Sequence, residues 1–463
     1  MKNTLSANMS KVFKTAIMAT AIAAPVSAFA SGFYIIEQSA ALQGNGFAGA
    51  AAIAEDASTN FYNAAGLVYL DSEQIQTGVS YVSFNAEYLN QGTYNSVSGA
   101  LVEGDSDDGG TNAMVPTLYY AKPINERVAF GFGINAPFGL VTEYDEDWVG
   151  RYTAITSDLK CYDFNPNIAY RVTDKLSVSL GLVVEYSDAE LSNAIDFSTV
   201  IVGSVANGTI PSVALPEGYF NYSYGNLGKT VQDGKATVSG DSLDFGFTVG
   251  LMYEFDPTLR IGVNYRSKIH HELEGDVDFE LPDDAVISAL FGNVFYDQAL
   301  TADLTVPESI SLSVYKSYKK WEFLADVTWM NWSRFELLYL DFEDAVTPDS
   351  SIEERWQDVV RGSIGANYQL NEKWKLRVGF VYDQSPCEEN NYRSPRIPDE
   401  DRTWVSTGVT YKYSENMTFS AGFTYIFVDD PQITNATHTS GNVLLGKYDA
   451  SVHILTMGMT YNF

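Results

Sequence analysis

Strict two-residue alternation recurs along most of this chain, and it restricts the fold more than any other feature. After Asn125-Glu126-Arg127, apolar side chains fall at Val128, Phe130, Phe132 and Ile134. After Thr173-Asp174-Lys175 they fall at Leu176, Val178, Leu180, Leu182 and Val184. The same design follows Asp256-Pro257-Thr258, Asn371-Glu372-Lys373 and Ser414-Glu415-Asn416. Successive side chains of a strand point to opposite faces, so each run is a strand with one apolar face. A matching run precedes each turn, as over residues 114–122, 243–255 and 403–413, which makes hairpins. Longer segments, such as 187–240 and 267–301, join the other strand ends. Short turns at one end and long loops at the other mark a transmembrane β-barrel, here of about 14 antiparallel strands.

The rival fold is a soluble sandwich, and composition argues against it. The chain has 30 Tyr and 26 Phe among 463 residues, yet its mean hydropathy is only −0.11. A sandwich gives aromatics no reason to gather at strand ends. Here Tyr119, Tyr170, Tyr186, Tyr253, Trp321, Trp329, Tyr382, Trp404, Tyr411 and Tyr461 all lie near such ends, as in the interfacial girdles of barrels. The final run places His453, Leu455, Met457, Met459, Tyr461 and Phe463 on one face. A terminal aromatic after such a run resembles the assembly signal of bacterial outer-membrane barrels. The expected partners are therefore the barrel assembly machinery, acting on Phe463, together with outer-membrane lipids and lipopolysaccharide, around a monomer.

Other classes drop out. A net charge of −31 excludes nucleic-acid binding through a basic surface. Two Cys cannot make a disulfide framework, although Cys161 and Cys387 could pair across the barrel mouth. Lys2, Lys11 and Lys14 precede a short apolar run ending Val26-Ser27-Ala28-Phe29-Ala30, so residues 1–30 read as a signal peptide. No later stretch approaches the roughly 18 apolar residues of a membrane helix. Residues 31–73 do not alternate and are rich in small side chains, among them Gly44, Gly46, Gly49 and Ala50-Ala51-Ala52. They suit a compact N-terminal hatch plugging the lumen of a barrel that occupies residues 74–463.

Several motifs carry a family resemblance. The stretch Ser31 to Ala40 (SGFYIIEQSA), AEDAST at 54–59 and NAAGL at 63–67 resemble the hatch of the FadL family of outer-membrane hydrophobe transporters. NAPFGL at 135–140, WVGRY at 148–152, NYRSKI at 264–269, VPESISLSVY at 306–315 and WMNWSRF at 329–335 extend it in collinear order. The stretch 397–411 (IPDEDRTWVSTGVTY) completes it. The resemblance implies a 14-stranded barrel with a hatch, in the Gram-negative outer membrane. It implies passive uptake of long-chain fatty acids or other hydrophobic small molecules, with no cofactor, no catalytic residue and no resident metal. It makes Phe33 a hatch residue that reaches an inner pocket.

The chain departs from the family at two places. The hatch motif Asn-Pro-Ala becomes Asn63-Ala64-Ala65, which frees one φ angle and restores an N–H. Basic residues associated with the cargo carboxylate in fatty-acid-transporting relatives are replaced by Ser192-Asn193 and Leu338-Tyr339. Either another cation substitutes, with Arg334 and Arg361 the nearest candidates, or the cargo is uncharged, as in the aromatic-hydrocarbon branch of the family. A general hydrophilic porin is the alternative from another class; a small-residue hatch argues against its open lumen.

Three further features bear on transport. Leu290, Phe291, Val294 and Phe295 follow Asp283-Asp284 at helical spacing, in a long outer loop. With the apolar stretch 195–215 they either seal the mouth or form a groove that captures hydrophobes. Pro137, between Asn135 and Gly139, cannot donate to a ladder and marks a bulge or break in the third strand, or simply its end. Resemblance to the family's kinked third strand favours a lateral opening there. His270 and His271 are adjacent on a strand and face opposite ways, so they share no ligand, and the acidic run Glu103 to Asp108 reads as solvated loop more readily than as a calcium site.

Overall fold

The computed structural model describes residues 32–463, apart from 212–214, 216–219, 222–225, 228–230, 345–346, 348 and 436–440. The expected signal peptide lies outside the described residues. Fourteen antiparallel strands close into a barrel. They are β1 (Gln74–Asn90), β2 (Asn112–Pro123), β3 (Val128–Glu143), β4 (Thr156–Arg171), β5 (Leu176–Ile195) and β6 (Gly234–Asp256). Strand β7 runs Leu259–Arg266 and on through Ile269–Glu280, and β8 returns as Gln298–Val306 and Ser309–Tyr318. Strand β9 (Trp321–Met330) continues outward as Leu337–Phe342, and β10 comes back as Ser350–Glu353 and Val359–Gln369. The last four are β11 (Trp374–Asp383), β12 (Arg402–Lys412), β13 (Met417–Val428) and β14 (Asn442–Asn462). Strand β14 pairs with β1 from Gln74 opposite Asn462 to Asn90 opposite Gly446, which closes the barrel.

The alternation has the sign of a membrane protein. Ile168, Leu180, Phe245, Ile364 and Met457 point outward, while their neighbours Asn167, Ser179, Ser363 and Thr456 are buried inside. Lipid therefore covers the apolar face, and the polar face meets the lumen. The girdle expectation needs correction. Tyr170, Trp321, Tyr382 and Tyr461 are exposed on the outer surface, but Tyr119, Tyr186 and Trp404 are buried in the interior. Each of those three stands in the inward phase of its strand; Trp404, for example, alternates with the outward Val405.

Residues 32–70 fill the lumen as short pieces: α1 (Ala40–Gln43), α2 (Ala50–Ile53), α3 (Thr59–Tyr62) and a 3-10 turn (Ala64–Tyr69). None is long enough to be stable alone, so the wall holds them in place. Glycine permits the fit. A Cβ at Gly262 of β7 would stand 1.7 Å from the Ala51 carbonyl oxygen, and one at Gly379 of β11 would stand 2.1 Å from Asn45 backbone atoms. Hatch backbone lies directly on barrel backbone at both points. Asn63 fastens the far end: its Oδ1 accepts from Ala65 N at 3.1 Å, and its Nδ2 donates to Ala51 O at 2.8 Å and Leu251 O at 3.0 Å. Charge adds a third tie. Glu55 of the hatch accepts from Arg377 at 2.6 Å and Lys375 at 3.0 Å, both on β11.

Candidate functional site

Above the hatch, on the long-loop side, the wall surrounds an apolar pocket of about 80 Å³. Leu140 of β3, Leu159 of β4, Leu191 of β5, Leu273 of β7, Leu300 of β8 and Leu340 of β9 line it. These positions are inward-facing yet apolar, so the polar lumen rule is suspended here. The floor is Phe33, only 1% exposed. Its ring meets Trp332 at 4.7 Å, Phe335 at 5.6 Å, Trp356 at 5.7 Å and Phe138 at 6.0 Å between centroids. Gly32 allows this approach, with φ at +69° and a side-chain position already taken by Trp356.

Phe33 is held there by the kinked strand. Strand β3 does not end at Asn135; it continues to Glu143 with a register shift between Asn135 and Phe138. Its ladder with β2 stops at Leu118 opposite Ile134, although β1 goes on pairing β2 as far as Asn112. The segment leaving β2 bends inward, and residues 135–142 are all buried. The hatch supplies the missing partner: Ile35 N donates to Pro137 O at 2.7 Å, and Gly139 N donates to Phe33 O at 3.0 Å. Gln38 adds a bond from Nε2 to Ala136 O at 2.7 Å. A seam in the wall, a hatch strand and the pocket floor thus meet at one place.

A buried ionic network backs the kink. Arg266 donates to Asp163 at 2.6 Å and Glu185 at 2.9 Å, Glu185 also contacts His271 at 2.8 Å, and Asn135 reaches Asp163 at 3.4 Å. Asn135 and Arg266 fall within the NAPFGL and NYRSKI stretches, but no sequence signal marks their pairing with Asp163 and Glu185, which depends on the register of separate strands. His270 points the other way and is exposed beside Thr305, as the adjacent-residue argument requires.

The cation of the cavity, which shares the lining with Asp158, Ser239 and Glu354, is also one the sequence did not single out. Arg396, in the loop between β11 and β12, is 6% exposed and lines the pocket together with Glu354. Its Nη1 donates to Thr156 O at 2.9 Å and Ser157 Oγ at 3.0 Å, and its Nη2 to Ser192 O at 3.3 Å. Its Nε has no hydrogen-bond partner among the described residues. Burial pushes the Glu354 carboxyl up to about 8, against the opposing pull of Arg396. At neutral pH Glu354 is therefore largely uncharged, and Arg396 keeps its positive charge. Arg396 thus reaches the corner where Ser192-Asn193 leave no cation.

The two cations expected to substitute are placed elsewhere. Arg334 lines neither the apolar cavity nor the polar one below it; it is largely solvent-facing and held by Glu308 at 3.0 Å. Arg361 is buried on β10, in the polar cavity under the hatch strand. In the outer loops, α5 (Ala285–Phe291) is capped by Asp284, which accepts from Val286 N at 2.8 Å. The helix is shorter than the spacing suggested, because Gly292 caps it and Val294 and Phe295 fold back onto the Phe291 carbonyl. Phe291 and Phe295 nevertheless pack with Phe197 of α4 (Phe197–Ala206), at 5.7 and 5.4 Å between centroids, and Leu290 joins the same cluster. Val294 lies alongside, half-buried. Phe279 touches both this outer cluster and the wall of the pocket, so apolar contact is continuous from loops to cavity.

Other candidates reduce to structure. Asp108 accepts from Ala86 N at 2.7 Å and Gly110 N at 2.9 Å, and Asp107 from Asp145 N at 2.6 Å, so these carboxylates serve the loop backbone. Cys161 and Cys387 are separate buried thiols.

A closed barrel with its apolar face outward, plugged beneath an apolar pocket, defines an outer-membrane channel for hydrophobic compounds. The chain belongs to the FadL family: the family model described as outer membrane protein transport protein (OMPP1/FadL/TodX) matches residues 21–463. NMB0088 of Neisseria meningitidis serogroup B is 31% identical over 468 residues, covering 97% of this chain and 98% of that protein. Outer membrane protein P1 of Haemophilus influenzae is 31% identical, with 90% of each chain covered. The long-chain fatty acid transport protein of Escherichia coli O157:H7 is 27% identical over 90% of this chain and 92% of its own. Among solved structures, a FadL homologue from Pseudomonas aeruginosa superposes with a TM-score of 0.83 at 22% identity, over 94% of this chain and all of that one, which establishes the shared fold. Members of this family are transport channels of the outer membrane and not enzymes.

Proposed function

We propose that this chain imports long-chain fatty acids or similar anionic amphiphiles. The observation that supports this reading is the apolar cavity with a buried guanidinium, Arg396, and a largely neutral Glu354 in its wall. An uncharged cargo such as an aromatic hydrocarbon would leave Arg396 Nε unpartnered, its Nη atoms being taken by Thr156, Ser157 and Ser192. Cargo lands on the outer cluster of Phe291, Phe295, Leu290 and Val294, and passes along Phe279 to the pocket. Displacement of Phe33 then opens the way to the seam at Asn135, Pro137 and Gly139. A chain gains about 0.8 kcal/mol per CH₂ on leaving water, so lateral release into the bilayer is favoured over release into the periplasm without energy coupling. Barrel assembly through Phe463, lipopolysaccharide around the loops and a monomeric state belong to the same reading.

Uptake of radiolabelled oleate by cells lacking their own transporter, with and without this chain, is the direct test; equal uptake would sink it. The double variant Phe291→Ser, Phe295→Ser should slow uptake severalfold at low oleate and less at high oleate, because only capture is impaired. In a planar bilayer the intact chain should carry little ion current; a large steady ohmic conductance would favour a hydrophilic porin instead.

A further inference from the structure

The short turns of such a barrel face the periplasm, and one of them differs from the rest. Those at Glu126, Asp174, Asp256, Glu372 and Glu415 each include a carboxylate. The turn from β8 to β9 has none and reads Lys316-Ser317-Tyr318-Lys319-Lys320-Trp321. Tyr318 pairs with Trp321, so Lys319 and Lys320 are the two residues of a tight hairpin. Lys319 takes φ +56°, in the left-handed region that glycine adopts freely and a side chain adopts at a cost. The hairpin thus holds an ammonium group at its tip, where glycine would close the turn with less strain.

Neighbouring turns widen the patch. Lys320, Lys373 and Lys412 line one groove with Glu372, Tyr413 and Glu415. Most carboxylates nearby are engaged: Glu415 pairs with Lys412 at 2.8 Å, Glu322 with Lys375 at 3.2 Å, and Asp256 accepts from Thr258 N at 2.8 Å. Lys316, Lys319, Lys320 and Lys373 make no ion pair among the described residues. The chain has 59 acids against 28 bases, so unpaired ammonium groups gathered here do not reflect a shortage of partners. Aromatic rings set the height of the patch. Tyr318, Trp321, Trp374 and Tyr413 are exposed beside the lysines, with Trp321 against Tyr368 at 4.6 Å and Trp374 against Tyr411 at 4.4 Å between centroids. Such rings rest at the lipid head-group level, so the lysines just beyond them stand where lipid phosphates lie.

We infer that the β8–β9 hairpin and the turn beside it bind the phosphate head group of an anionic phospholipid from the periplasmic leaflet. A zwitterionic head group brings its own ammonium and gains little from the patch. A head group of net negative charge gains about fivefold in affinity for each lysine near it. The test is native mass spectrometry of the full chain in detergent, titrated with phosphatidylglycerol or with phosphatidylcholine of the same acyl chains. The wild type should hold phosphatidylglycerol roughly tenfold more strongly, and the preference should shrink as salt is raised. Lys319→Gly, which relieves the turn, should lower the preference severalfold, and the triple variant Lys316→Gln, Lys319→Gly, Lys320→Gln should remove it. Lys175→Gln, in a turn that also holds Asp174, should leave it unchanged. Equal binding of the two lipids by the wild type, a preference that survives the triple variant, or the same loss with Lys175→Gln would overturn the assignment. So would phosphate adducts that replace phosphatidylglycerol in millimolar inorganic phosphate, since the lysines would then hold a free anion only. Should the triple variant lose its heat-modifiable band, Lys319→Gly and the wild-type comparison of the two lipids decide.

Discussion

Replacing Arg396 by methionine is expected to weaken oleate binding about tenfold to a hundredfold, the loss of one charge-assisted contact in a desolvated site. Hexadecane, which has no head group, should bind the variant about as well as the wild type, because the leucine wall is untouched. The contrast between the two ligands is the measurement; equal losses for both would show that Arg396 merely holds its loop to Ser157 and Ser192. The reading also fixes a pH dependence. Below about pH 8 the Glu354 carboxyl is neutral and Arg396 is free to attract an anion. As pH rises through that value Glu354 ionises, competes for the guanidinium, and oleate affinity falls. Glu354→Gln should abolish the fall and leave affinity level across the range; a wild-type affinity unchanged up to pH 9 would contradict the assignment.

The second large effect concerns the hatch. Glu55→Ala is expected to loosen the plug, because it leaves Arg377, which is wholly buried, and Lys375 without their hatch partner. Breaking a buried pair from one side costs about 3–5 kcal/mol, against a domain stability of similar order. The strands themselves lose nothing, so the barrel should remain heat-modifiable on gels while ion conductance in a planar bilayer rises well above that of the intact chain. An unchanged, low conductance would mean that glycine-mediated backbone contact alone retains the hatch. The Arg377→Ala variant separates the causes, since it removes the buried cation together with the tie and should open the channel at a smaller cost in stability.

Periodicity made the barrel legible, because a strand's two faces are written into alternate residues such as Leu180 and Gly181 or Val405 and Ser406. Phe33 was legible only through family resemblance, since nothing local distinguishes it from Phe29. Arg396 was not legible at all. It sits in an irregular loop, and its partners Thr156, Ser157 and Ser192 are more than two hundred residues away. Arg334 looked equivalent to Arg361 in sequence; it falls in the 3-10 turn after β9 and meets solvent, while Arg361 takes an inward position of β10. Trp404 and Tyr119 show the same limit, since proximity to a strand end does not reveal phase. The helix of the outer loop was placed correctly at its start, where Asp284 supplies a side-chain cap, and too long at its end, where Gly292 stops it.

The backbone bonds from Ile35 to Pro137 and from Gly139 to Phe33 make the stopper part of the masonry. Pulling the stopper strips two main-chain partners from the one stretch of wall that has already given up its own neighbour. That stretch must then either rejoin β2 or stay exposed, and exposure to lipid is the more expensive choice. On the proposed lateral route, plug and side opening would therefore move together and not on separate triggers. Both draw on the same few hydrogen bonds.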